Sequence, residues 1–120
     1  MPHIYEVITW YALPAIRKEI SSILKKKKFK VTEIGNLLEL TPAAVSQYLH
    51  SKRKGMELPE EIKKYLISQL RPLKRKEINK DLIDRLINES IRMLIDKKYL
   101  CSFCKAEHLV EGEECNKCYK

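Results

Sequence analysis

A chain of 120 residues with a formal net charge of +8 has room for one compact core and an appendage, and excludes two full-sized domains. Three Gly and five Pro, set against abundant Ile and Leu spread among charged positions, exclude a loop-rich or β-sandwich design and leave a mostly α fold. No stretch approaches the ~20 apolar residues of a membrane span. The opening Met1-Pro2-His3-Ile4-Tyr5-Glu6 also lacks the basic-then-apolar order of a signal peptide, so a cytoplasmic protein with no membrane partner is expected.

From Ile4 to Leu24 apolar residues recur at three- and four-residue steps, through Val7, Ile8, Tyr11, Ile16, Ile20 and Ile23, the period of an amphipathic helix. Pro14 removes a backbone donor and disfavours helical geometry at Leu13, so a kink or break is expected there, with Pro14 opening the second half. Trp10 is expected in the core. Thr32 is the candidate N-cap of a short helix through Leu38. Thr41-Pro42 opens another, with threonine as cap and proline at the first helical position. Leu40 before that cap and Val45 at the fourth helical position make the pair of a hydrophobic staple. Ser51–Gly55 reads as a basic exit loop. Pro59–Leu70 reads as a further helix with Ile62, Leu66, Ile67 and Leu70 on one face, ended by Arg71-Pro72. From about Glu77 to Tyr99, Leu82/Ile83, Leu86/Ile87, Ile91 and Leu94/Ile95 return nearly every fourth residue. So wide a stripe fits packing on the chain's own domain and packing on a second copy equally well.

Two short helices meeting at a tight turn around Glu39 satisfy the demands of a helix-turn-helix. That motif needs a supporting helix and a second helix whose buried positions lock the angle while its exposed N-terminal residues face the major groove of DNA. Ile34, Leu38, Leu40, Val45, Tyr48 and Leu49 supply the lock, and Gly35 and Ala44 are small where the helices cross. Pro42, Ala43, Ser46, Gln47 and His50 are left on the outward face, beside the cap Thr41. The run EIGNLLELTPAAVSQYLHSKR resembles the helix-turn-helix of lambda-repressor/Cro-like (Xre-type) regulators. LPAIR, TPAAVSQYL and a cysteine-containing tail together resemble a group of archaeal transcriptional regulators, over roughly residues 12–54 and more weakly in the tail. Glu39 stands where that family favours glycine, and Val31 where it often carries glutamine. By this resemblance Gln47 reads a base, since a carboxamide pairs bidentately with adenine N6 and N7. Ser46 and Ala43 would add a hydroxyl and a thymine-methyl contact, His50 falls on the solvent or phosphate side, and Lys52, Arg53 and Lys54 are phosphate clamps at the helix exit.

Cys101-Ser-Phe-Cys104 and Cys115-Asn-Lys-Cys118 each hold two thiols within one turn, and the ten-residue spacer, with Gly112 to reverse it, brings the pairs together. In a reducing compartment such pairs are metal ligands more often than disulfides, although disulfide-rich thermophiles are an exception. Four thiolates suit tetrahedral zinc. The spacer is shorter than that of common zinc ribbons, and neither pair is followed by the usual glycine, which keeps a 4Fe-4S cluster as the competing occupant. His108 beside four thiols is read as a bystander.

The charge is uneven along the chain. Residues 1–56 carry ten basic and four acidic side chains, net +6; residues 57–100 carry eleven and eight, net +3; the last twenty carry three and four, net −1. A positive field over the first half suits a phosphate backbone, while Lys25–Lys28 alone suits a solvated surface just as well. The sequence thus divides into a helix-turn-helix unit over 1–56, a helical dimerisation extension over 57–100 and a metal-binding tail over 101–120. The function expected is a homodimeric transcription regulator bound to an inverted repeat in double-stranded DNA. An RNA- or protein-binding adaptor with a zinc module is the alternative. No Ser/His/Asp set, Gly-rich phosphate loop or acidic pair is visible, and no βαβ pattern surrounds a Cys-x-x-Cys, so an enzyme is not expected.

Overall fold

The computed structural model describes residues 8–50 and 57–97, and within them the regular structure is helical: α1 (Leu13–Lys26), α2 (Val31–Leu38), α3 (Pro42–His50), α4 (Glu60–Leu70) and α5 (Lys80–Asp96). A π-helical turn, Ile8–Ala12, runs into α1, and a short 3-10 turn, Arg75–Glu77, precedes α5. Of the kink or break expected at Leu13, the break is absent, while the helix changes from π to α geometry at that residue. Pro14 lies in the first turn of α1, the part of a helix where proline is best tolerated.

Helix α1 is the centre of the packing. Ile16, Ile20, Ser21, Ile23 and Leu24 are buried, a face wide enough to meet α2, α3, α4 and α5 together. Opposite it lie Ile34 and Leu38 of α2, Val45 of α3, Ile62, Leu66 and Leu70 of α4, and Ile83, Leu86 and Leu94 of α5. Each full burial of such a side chain is worth about 1.5–3 kcal/mol before chain entropy is counted. The α5 stripe is therefore used within the chain's own core, with Leu82, Ile87, Ile91 and Ile95 half-buried against it. Two expected core residues are outside: Trp10 is 58% exposed, because Tyr11 and Ala12 take the inward side of the π turn, and Ile67 is 36% exposed at the edge of the Ile62–Leu66–Leu70 row.

Two helix ends use the same device. Lys28 (φ 68°) and Glu39 (φ 57°) both adopt the left-handed conformation that ends a helix. The residue after each donates back five positions, Phe29 N–H to the Leu24 carbonyl at 3.1 Å and Leu40 N–H to the Gly35 carbonyl at 2.8 Å. Helix α5 begins at Lys80, capped by Asn79, whose side chain accepts the Leu82 N–H at 2.9 Å. The expected start near Glu77 is corrected, since residues 75–77 form the separate 3-10 turn.

Candidate nucleic-acid interface

The geometry of α2 and α3 follows from the three residues that join them. With Glu39 left-handed, the chain doubles back so closely that a Cβ on Gly35 would stand 2.6 Å from the Leu40 carbonyl oxygen. Only glycine admits that approach. Thr41 then caps α3 as its side chain accepts the Ala44 N–H at 3.1 Å, and its carbonyl accepts the Val45 N–H at 3.1 Å. Leu40 packs half-buried against the core that holds Val45, as a staple requires.

Beyond that anchor α3 is open. Val45 is its one fully buried side chain, with Ala44, Tyr48 and Leu49 partly covered. Thr41, Pro42, Ala43, Gln47 and His50 are exposed together at this helix, and Ser46, expected outward with them, is half-buried. The helix carries no Lys, Arg, Asp or Glu, so its outward face offers hydrogen-bonding and apolar groups without fixed charge.

Helix α2 starts two residues earlier than the sequence implies. Its N-cap is Lys30, not Thr32, which lies exposed within the first turn. Lysine has no side-chain acceptor, so the cap works in reverse: Glu33, three residues on, accepts the Lys30 N–H at 2.9 Å. The same Lys-x-x-Glu arrangement recurs where Glu77 accepts the Lys74 N–H at 2.9 Å. This repeated spacing was available in the sequence.

Arg75 was not identified by sequence reasoning. Its guanidinium hydrogen-bonds and pairs with Glu33, donates through Nη2 to the Lys28 carbonyl at 2.7 Å, and stacks with Cζ 4.5 Å from the centre of the Phe29 ring. The backbone hydrogen bond from Lys30 and then the one from Arg75 hold the Glu33 carboxyl below the ordinary carboxylate value, against a smaller push upward from burial. On the far side of the turn, Lys80 Nζ stands 3.9 Å from Glu39 Oε1.

Within the lysine run, Lys25, Lys26 and Lys28 are exposed, whereas Lys27 is half-buried and donates from Nζ to the Arg71 carbonyl at 3.0 Å, joining α1 to the end of α4. Lys52, Arg53 and Lys54, and the metal-ligand set Cys101, Cys104, Cys115 and Cys118, lie outside the described residues. Among the described residues no group of three or more His, Cys, Asp and Glu side chains is placed to hold a metal, and no helix is long and apolar enough to cross a membrane. No family model matches the chain, and neither a curated protein nor a solved structure matches it.

Proposed function

We propose that the chain is a sequence-specific DNA-binding transcription regulator, in which α2, the Glu39–Thr41 turn and α3 form a helix-turn-helix and α3 enters the major groove. The observation that carries this reading is a helix anchored by Val45 and its Thr41 cap while Thr41, Pro42, Ala43, Gln47 and His50 stay exposed on an uncharged face. Gln47 is assigned to adenine, Ala43 to a thymine methyl, and Ser46 to a hydroxyl contact from the edge of the face. Lys52, Arg53 and Lys54 are assigned to phosphates by their place just after α3. The resemblance to Xre-type regulators supports the same reading. The turn residue where that family favours glycine is Glu39, whose left-handed backbone is the conformation that glycine adopts without strain.

The proposal includes a metal centre on Cys101, Cys104, Cys115 and Cys118, supported by their spacing. Zinc is assigned, with a 4Fe-4S cluster as competitor. Colourless zinc-bearing protein, purified without oxygen, supports the first, and broad absorbance near ~400 nm with iron and sulfide supports the second. A two-fold dimer on an inverted repeat is also proposed, now supported only by the half-buried Leu82, Ile87, Ile91 and Ile95 of α5.

Selection of bound duplexes from a randomised pool tests the reading. Enrichment of one motif, with structured RNA competing weakly, is expected. Absence of enrichment together with equal affinity for structured RNA would replace the regulator with the RNA- or protein-binding adaptor.

A further inference from the structure

The geometry points to a second phosphate-binding face, built from Lys74 and Lys76 beside Lys28 and Lys30, that grips the backbone of the same duplex at the N-terminal end of α2. The inference builds on the helix-turn-helix reading and adds Lys30, Lys74 and Lys76, which the sequence pattern did not single out.

Lys74-Arg75-Lys76 is separated from Lys28 and Glu33 by more than forty residues, yet Arg75 is fastened to both. It pairs with Glu33, donates to the Lys28 carbonyl at 2.7 Å and lies over Phe29. The Lys74 N–H is closed onto Glu77 at 2.9 Å, which fixes the 3-10 turn. The flanking lysines are therefore held against the joint between α1 and α2. Lys28, Lys30, Lys74 and Lys76 are all exposed.

The acidic groups of the same two segments are Glu33, Glu39, Glu77 and Asp81, four against the six cations Lys28, Lys30, Lys74, Arg75, Lys76 and Lys80. Among the described residues the ion pairs on this side are Arg75 with Glu33 and Lys80 with Glu39. Glu33 and Glu77 keep their charge while held by backbone N–H groups, so the two segments together carry a surplus of two positive charges. Arg75 thus serves as a rivet that positions its neighbours. In a docked helix-turn-helix the supporting helix crosses the sugar-phosphate backbone, which puts the N-terminal end of α2 where phosphates run. Exposed lysines with a net positive surplus suit a periodic row of phosphates better than a single compact anion.

The test uses the full chain, a random-sequence duplex and a structured RNA, with dissociation constants measured across a salt series for wild type and for Lys74→Ala/Lys76→Ala. Both residues are exposed, so the helical signal and melting temperature should be unchanged. Removing two phosphate contacts should lower the slope of log affinity against log salt by about 1.8 on DNA, with base preference unaltered. As a control, Lys64→Ala/Arg92→Ala takes the same charge from exposed positions on α4 and the distal half of α5, Arg92 lying about 18 Å along its helix from Lys80. The control should leave the slope as it is. An unchanged slope in the double variant, an equal drop in the control, or a drop confined to RNA would each overturn the face. The first of these, in a protein that still selects a DNA motif, removes the face and leaves the helix-turn-helix. A wild type with no affinity for duplex removes both.

Discussion

Of the nine residues of α3, one side chain is fully buried, Val45; the seventeen of α5 bury Ile83, Leu86, Ser90 and Leu94 and lean Leu82, Ile87, Ile91 and Ile95 on the same core. The difference shows where the sequence commits its apolar surface and where it withholds it. Helix α5 is held by area, so its interactions are spread over four turns. Helix α3 is fixed at its start by particular contacts at Gly35, Leu40, Thr41 and Ala44 and packs inward through Val45 and the half-buried Leu49, which leaves its outward face open. Truncation should therefore be most damaging in α5, while α3 should be sensitive at its anchoring turn and tolerant on its face.

The largest effect is expected from Leu86→Ala in α5, which opens a cavity beside a side chain only 1% exposed and should cost about 2–5 kcal/mol in a urea titration. A loss below about 1 kcal/mol would show that α5 is not committed to this core. Next comes Gly35→Ala. The added methyl meets a backbone oxygen that cannot rotate away, so a loss of about 1–3 kcal/mol is expected, with the α2–α3 angle disturbed. A wild-type melting temperature for this variant would mean that the turn is looser than the structure has it.

A smaller change, of opposite sign, is expected at Glu39. Relief of a left-handed residue is worth about 1–2 kcal/mol, glycine's extra freedom in the unfolded chain takes back about 0.5–1 kcal/mol, and the exposed 3.9 Å contact to Lys80 contributes little. Glu39→Gly should thus raise stability by up to about 1.5 kcal/mol; a decrease would show that the Lys80 contact outweighs the strain.

The smallest effect depends on pH. Glu33 is held below the ordinary carboxylate value in the folded chain, so its contribution is complete above the unfolded value and is lost as pH falls through the folded one. Acid should loosen the α1–α2 joint. Glu33→Gln keeps an acceptor for the Lys30 N–H while losing the charge, and its melting temperature should fall less than that of wild type between neutral pH and about pH 3. Identical acid sensitivity would exclude Glu33 as a contributor.

Features set by neighbours in the chain were legible in the sequence. Thr41 before Pro42 announces a cap, Gly35 a close crossing, and the α4 and α5 rows a buried face, because each depends on residues within a turn or two. The Lys30 cap was obscured because lysine is no acceptor, leaving only the returning half of the box, Glu33, as a signal. Trp10 was misplaced because a large aromatic suggests the core by its type alone while its position falls off the Ile8–Tyr11 register, and Ile67 because periodicity marks an apolar stripe wider than the surface its neighbours cover. Whether the α5 stripe met its own core or a second copy was undecidable from its pattern, since both offer the same apolar environment. The Arg75 rivet was out of reach altogether: its partners lie 42 and 47 residues away and come together only when α1, α2 and α5 have packed.

The central claim is that α3 presents a face shaped for bases and held independently of it. Its most direct test is the base-preference profile of Gln47→Ala on the selected DNA motif, measured beside its unfolding free energy. Gln47 is exposed, so stability should stay within about 0.5 kcal/mol of wild type, while affinity for the motif falls by about 1–3 kcal/mol and preference relaxes at one base pair. A profile identical to wild type at every position would contradict the assignment of this face to DNA.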